Sequence, residues 1–163
     1  MFDPNVNTLF LDCDGVLADF DKAAHSWLGM PSRDFERLHG ADAFWAKLKE
    51  LEEFYFSLEL MPDAQELYDA VKHLKPVILT GAPSQLGQAA HVEKMRWAAK
   101  HFGPDQKIIT CQSKKKAIYG KPGDIIVDDW PKHRHVWEAM GGIWVPHTNT
   151  KDTLDQLRAL GVL

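Results

Sequence analysis

The stretch Thr8-Leu9-Phe10-Leu11-Asp12-Cys13-Asp14-Gly15-Val16-Leu17-Ala18-Asp19 joins a short apolar run to two carboxylates spaced i and i+2. An apolar run too short for a helix and stopped by acids reads as a buried strand that delivers charge at its carboxyl end. Gly15 lets the chain bend sharply just beyond them. Four more runs of this kind follow, at Pro76 to Leu79, Lys107 to Thr110, Ile125 to Val127 and Ile143 to Val145. Helical patterns lie between most of them. Leu67, Val71 and Leu74 make an i, i+4, i+7 stripe within Asp63 to Leu74, with Asp63 placed to cap it. A longer helix is expected from Ser84 to His101, stopped by Gly103-Pro104, and two more over Pro131 to Met140 and Thr150 to Leu160.

Strands alternating with helices, and too apolar to alternate in polarity themselves, predict a doubly wound α/β fold. Its parallel sheet has about five strands covered on both faces. Residues 19–61 break the alternation. They hold helical stretches, the aromatic groups Phe44-Trp45 and Phe54-Tyr55-Phe56, and no convincing strand. They read as a helical insertion after the first strand, leaving residues 1–18 and 62–163 as the α/β core. With no Pro/Gly/Ser-rich linker, the insertion should pack on that core.

The 163 residues carry a formal charge of −4, with 45% hydrophobic and 26% charged residues. That is the composition of one soluble globular domain, and it excludes a disordered, collagen-like or disulfide-scaffold chain. No apolar stretch approaches the ~18 residues of a membrane span. The start Met1-Phe2-Asp3-Pro4-Asn5 has neither the lysines nor the apolar run of a secretory signal, so a cytoplasmic protein is expected. Cys13 and Cys111, far apart and without metal-ligand spacing, fit reduced thiols. The mild negative charge argues against dedicated nucleic-acid binding.

Ligands of open α/β sheets bind beyond the carboxyl ends of the strands. There the first strand delivers Asp12 and Asp14, the second Thr80-Gly81-Ala82-Pro83, and the fourth Asp128-Asp129, with Lys114, Lys115, Lys116 and Lys121 shortly before. Singly, each acid could be a turn former or a helix cap. Together on one edge they repel each other, which a fold tolerates when a divalent cation neutralises them. Oxygen ligands suit Mg2+, which keeps open positions for water and a substrate phosphate. His133 and His135, at i and i+2 on a helix, point to different sides and suit a solvated face or a substrate contact better than zinc. Trp130 and Lys132 lie near enough to touch a substrate.

Phe10-Leu11-Asp12-Cys13-Asp14-Gly15-Val16, then Ile78-Leu79-Thr80-Gly81, then a lysine, then Gly123-Asp124-Ile125-Ile126-Val127-Asp128-Asp129, resembles the haloacid dehalogenase-like (HAD) superfamily in motif order. The resemblance implies a Rossmann-like core and a phosphatase working through a phosphorylated aspartate. Asp12 would be the nucleophile and Asp14 the acid and base. Thr80, Gly81 and a lysine would hold the phosphate, and Mg2+ would sit on Asp12, the main-chain carbonyl of Asp14, and Asp128 or Asp129. Lys116 best matches the family lysine, with Lys114 second and Lys121 third. Dehalogenase members lack the second acid, so Asp14 favours a phosphatase. Residues 19–61 fall where the family carries a small helical cap that selects the substrate. Within the superfamily the motifs look closest to the 5'(3')-deoxyribonucleotidase-like branch. That implies a small phosphorylated substrate, with a (deoxy)nucleoside monophosphate favoured over a sugar phosphate or a 3'-end. Phe20, Phe44, Trp45, Phe54 and Phe56 could stack on a base or form the core of the cap. A non-catalytic module that binds magnesium and phosphate is the reading from a different class, and Asp14 speaks against it.

Overall fold

A computed structural model describes residues 1–163. Strands β1 (Leu9–Leu11), β2 (Val77–Gly81), β3 (Ile108–Cys111), β4 (Ile125–Asp128) and β5 (Ile143–Pro146) form one parallel sheet in the order β3-β2-β1-β4-β5. The five-stranded doubly wound expectation is met. β1 is central: Leu9, Phe10 and Leu11 lie opposite Ile125, Ile126 and Val127, while Phe10 and Leu11 face Val77 and Ile78 on the other side. The chain runs outward to β3, then crosses back to β4. The crevice at this reversal opens beyond the carboxyl ends of β1 and β4.

Alternation along each strand divides the apolar residues between two cores. Leu9, Leu11, Ile78, Ile125, Val127 and Val145 pack on one face. There they meet α4 (Ala64–Val71), α5 (Gly87–Phe102) and α7 (Thr150–Ala159) through Leu67, Trp97 and Leu157. Phe10, Leu79, Ile126 and Trp144 pack on the other face around Trp137 of α6 (Arg134–Ala139). Both faces are covered, which is why the strands read as continuous apolar runs.

Three helical expectations need correction at their ends. The helix expected from Ser84 starts at Gly87, whose φ of +57° breaks it from a 3-10 turn at Ser84–Leu86. The helix expected from Pro131 is a 3-10 turn, Pro131–His133, followed by α6. Asp63 does not cap α4 with its side chain. Its Oδ2 accepts from the Thr150 amide at 2.7 Å, and its carbonyl accepts from the Thr150 hydroxyl at 2.9 Å. The acid therefore binds the start of α7 instead of its own helix.

Between β1 and α4 the chain forms α1 (Phe20–Leu28), α2 (Ser32–His39) and α3 (Ala41–Lys49). It leaves and returns through paired backbone: the Asp19 amide donates to Glu59 and the Met61 amide to Leu17, each at 2.8 Å. Phe44, Leu48, Phe54 and Tyr55 of this segment share one buried cluster with β1 and α5. It packs on the sheet domain and is not tethered loosely to it.

Candidate active site

β1 hands its hydrogen-bond ladder directly to Asp12, whose amide donates to the Val127 carbonyl at 2.9 Å. Its Oδ1 accepts from the Cys13 amide at 2.8 Å. The turn that follows depends on Gly15. Its φ is +84°, and a Cβ there would stand 2.1 Å from Oδ2 of Asp129, so only glycine lets the two strand ends approach this closely. Gly81 closes the β2 side in the same way, since a Cβ would meet the Ser113 hydroxyl at 2.2 Å.

Of the candidate lysines, the structure brings only Lys116 into the acid cluster. It lies on a 3-10 turn, Ser113–Tyr119. Its Nζ is 2.9 Å from Asp12 Oδ1 and 2.8 Å from Asp128 Oδ2. Lys114 and Lys115 are exposed, Lys114 in the wall of the same cavity but outside the acid cluster. Lys121 is exposed, and its amide donates to Asp124 at the other end of β4. Asp128 also accepts from the Trp130 amide at 2.9 Å, so both its oxygens are engaged.

Two findings depart from the expected site. Thr80 is fully buried and does not line the cavity, whose wall at the end of β2 runs from Gly81 to Gln85. Its hydroxyl accepts from Lys94 Nζ at 2.9 Å instead of facing a phosphate. Lys94, in α5, was not among the candidates at all. Its Nζ also donates to Asp14 Oδ2 at 2.8 Å, and it lies 4.6 Å from the centre of the Tyr55 ring. A signal for it existed in the sequence: Ala90, Lys94, Trp97 and Ala98 fall on one helix face, which puts a lysine in an apolar stripe.

The carboxylate oxygens of Asp12, Asp128 and Asp129 lie within 4.8 Å of one another. Burial, together with the neighbouring Asp12 charge, pushes the carboxyls of Asp128 and Asp129 up to about 7. Burial likewise raises Asp14 against the opposing pull of Lys94. Burial pulls Lys116 down, but Asp12 and Asp128 outweigh it, and the lysine is held firmly protonated. Four carboxylates thus meet two buried ammonium groups, Lys116 and Lys94, so within the cluster the acids outnumber the bases, a local deficit of positive charge. Those donors and that deficit fit a divalent, oxygen-seeking cation. The Asp14 side chain is not in the three-acid group, being turned toward Lys94.

The cluster forms the floor of a cavity of about 750 Å³. Phe20, Phe44, Trp45 and Tyr55 bring the helical segment to one wall, and Trp130, Lys132 and His133 form part of another. Phe54 and Phe56 are not in that wall. Phe54 packs on Phe20 with ring centroids 5.6 Å apart, and Phe56 carries the Arg96 guanidinium 4.1 Å from its ring centre. His135 does not line the cavity either, so the two histidines diverge as their spacing requires.

Comparison with known proteins gives a consistent picture. Residues 39–161 match the family model described as 5' nucleotidase, deoxy (pyrimidine), cytosolic type C protein. The match spans Lys94, Lys116, Asp128 and Asp129 and begins after Asp12 and Asp14. The chain is 27% identical over 143 residues to the mitochondrial 5'(3')-deoxyribonucleotidase of Mus musculus, covering 76% of this chain and 64% of that relative's length. A HAD-superfamily hydrolase of subfamily IA from Geobacter sulfurreducens superposes with a TM-score of 0.57 at 14% identity, over 93% of this chain and 96% of the other. A HAD phosphatase from Thermococcus onnurineus gives 0.56 at 14% identity, over 96% and 98%. These two show the shared fold.

Proposed function

The chain belongs to the 5' nucleotidase, deoxy (pyrimidine), cytosolic type C family, and from that premise we propose that it is a magnesium-dependent phosphomonoesterase acting on (deoxy)nucleoside monophosphates through Asp12. The observation that carries the reading is Lys116, bridging Asp12 and Asp128 at 2.9 and 2.8 Å on the floor of a cavity also lined by Asp14 and Gly81.

Asp12 has Oδ1 held by the Cys13 amide and Lys116, which leaves Oδ2 to attack phosphorus. The bond from phosphorus to the ester oxygen breaks, and Asp14 gives its proton to that oxygen as the alcohol departs. In the second half Asp14 takes a proton from water as the water attacks phosphorus. The bond to Asp12 then breaks and inorganic phosphate is released. Lys116 offsets charge on the nucleophile and the transferring group, and the backbone beyond Gly81 faces the phosphate oxygens. Asp12, Asp128 or Asp129, and the Asp14 carbonyl would hold Mg2+, which when bound supplies charge neutralisation for the phosphoryl oxygens. Thr80 serves this site from behind, through Lys94.

Residues 19–61 act as the cap in this reading, supported by Phe20, Phe44, Trp45 and Tyr55 in the cavity wall. An aromatic wall suits the flat face of a base. The nucleotide preference draws further support from the family description and from the deoxyribonucleotidase relative. A cytoplasmic setting goes with the word cytosolic in the family's description, whereas that relative is described as mitochondrial. No helix here is long and apolar enough to cross a membrane.

The test is phosphate release from nucleoside monophosphates, sugar phosphates and an aryl phosphate, with Mg2+ and with excess chelator. Magnesium-dependent release, fastest on nucleotides, is expected. Release undiminished by chelator would refute the metal assignment, and no release from any ester would point to a non-catalytic module.

A further inference from the structure

Lys94 is the most thoroughly buried ammonium in the protein, 1% exposed, and no step above uses it directly. Burying a lysine is unfavourable unless its charge is paired and its donors are satisfied. Methionine in the stripe of Ala90, Trp97 and Ala98 would pack there without that penalty. Two donors of the ammonium go to side chains from two different strand ends, Asp14 Oδ2 at 2.8 Å and Thr80 Oγ1 at 2.9 Å. The charge also lies over the face of Tyr55, a residue of the cavity wall. Lys94 is the one hydrogen-bond partner of the Asp14 carboxylate, whose Oδ1 is enclosed and unpaired. The two buried lysines therefore divide the acids, with Lys116 on Asp12 and Asp128, and Lys94 on Asp14 alone.

We propose that Lys94 is a positioning residue for the leaving-group acid: it pins Asp14 through Oδ2 and ties it to Thr80, so that the β1 turn and the end of β2 present the carboxyl in one place beneath the departing oxygen. The assignment rests on Asp14 acting as acid and base in the reaction above. It explains why Thr80 is buried away from the cavity. A side chain held by one bond to a rigid, doubly anchored donor keeps the geometry that proton transfer needs.

The test is the dependence of kcat/KM on leaving-group pKa, measured across aryl and alkyl phosphate monoesters and a nucleoside monophosphate with Mg2+ present. Lys94→Met removes the ammonium and keeps an unbranched apolar side chain in the stripe. A well-placed acid makes good and poor leaving groups react at similar rates. The variant should therefore lose about a hundredfold on the nucleotide but no more than about fivefold on nitrophenyl phosphate, steepening the slope. In an Asp14→Asn background the same change should add less than about twofold on any ester. Equal losses on every ester, with the slope unchanged, would make Lys94 merely structural and overturn the proposal. So would a full further loss in the Asp14→Asn background. Should Lys94→Met fail to fold, Lys94→Gln carries the same slope measurement. A wild-type chain inert toward every ester rejects the hydrolase reading and this proposal with it. An active wild type whose slope Lys94→Met leaves unchanged rejects the proposal alone.

Discussion

Asp124 and Asp128 stand at opposite ends of β4, are 2% and 3% exposed, and live in opposite electrostatic worlds. Asp124 accepts from the Thr8 amide at 2.8 Å and the Lys121 amide at 2.9 Å, so neutral backbone donors close off the start of the sheet around it. Asp128 stands beside Asp12 and Asp129, is pushed up to about 7 by burial and the Asp12 charge, and is held by a lysine that it shares with Asp12. One acid ties strands together. The other is in a place where a fold optimised for stability would not put it, which is the mark of a site kept for its chemistry.

That contrast can be broken most forcefully at Asp12, the proposed nucleophile. Asp12→Asn should lower turnover by roughly 10⁴-fold or more while the chain keeps its fold, read as phosphate release beside a thermal unfolding curve. Asp128→Asn should lower turnover by about 10²- to 10³-fold without lowering Tm in chelator, because it removes one of three repelling acids. It should also remove the rise in Tm expected of the wild type in Mg2+. Asp124→Ala should do the reverse. Two amides lose their acceptor, destabilising the fold by about 2–4 kcal/mol in urea titrations, while kcat of the folded protein stays unchanged.

The smallest effect lies away from both ends of the strand, at His101 in α5. Burial, aided by Lys100, lowers its pKa below the ordinary 6.5, and its Nε2 is enclosed without a partner. The folded state disfavours the imidazolium, so this contribution to stability is complete above pH 6.5 and is lost as pH falls through the lower folded value. His101→Phe should flatten the acid side of the stability curve and leave activity at neutral pH untouched.

What could be read in the sequence followed the same division. The strand ends were legible because the first, second and fourth apolar runs stop in polar residues, and that single feature placed Asp12, Asp14, Thr80, Asp128 and Asp129 on one edge. Lys116 could be chosen from its neighbours only by family resemblance, because the 3-10 turn that buries it has no strong periodicity. Lys94 escapes a local reading because its charged neighbours Glu93 and Arg96 mask the apolar stripe it shares with Ala90, Trp97 and Ala98. The stripe turns it inward, and the position of Asp14 in space gives its ammonium a partner there. Asp63 failed for a similar reason: its local role as a cap lost to a contact with Thr150, far along the chain. Short-range pattern located the charges, and long-range pairing decided what each does.

Acid-quench mapping of the protein during turnover of a phosphate monoester with Mg2+ asks whether Asp12 becomes phosphorylated. Trapping is sharpened in Asp14→Asn with nitrophenyl phosphate, whose departure needs little help from an acid while loss of the proposed base slows hydrolysis of the acyl phosphate. A phosphoryl group should appear on the peptide carrying Asp12, and none in Asp12→Asn. Turnover that persists in Asp12→Asn, with no phosphorylated peptide at any quench time, would contradict Asp12 as the nucleophile.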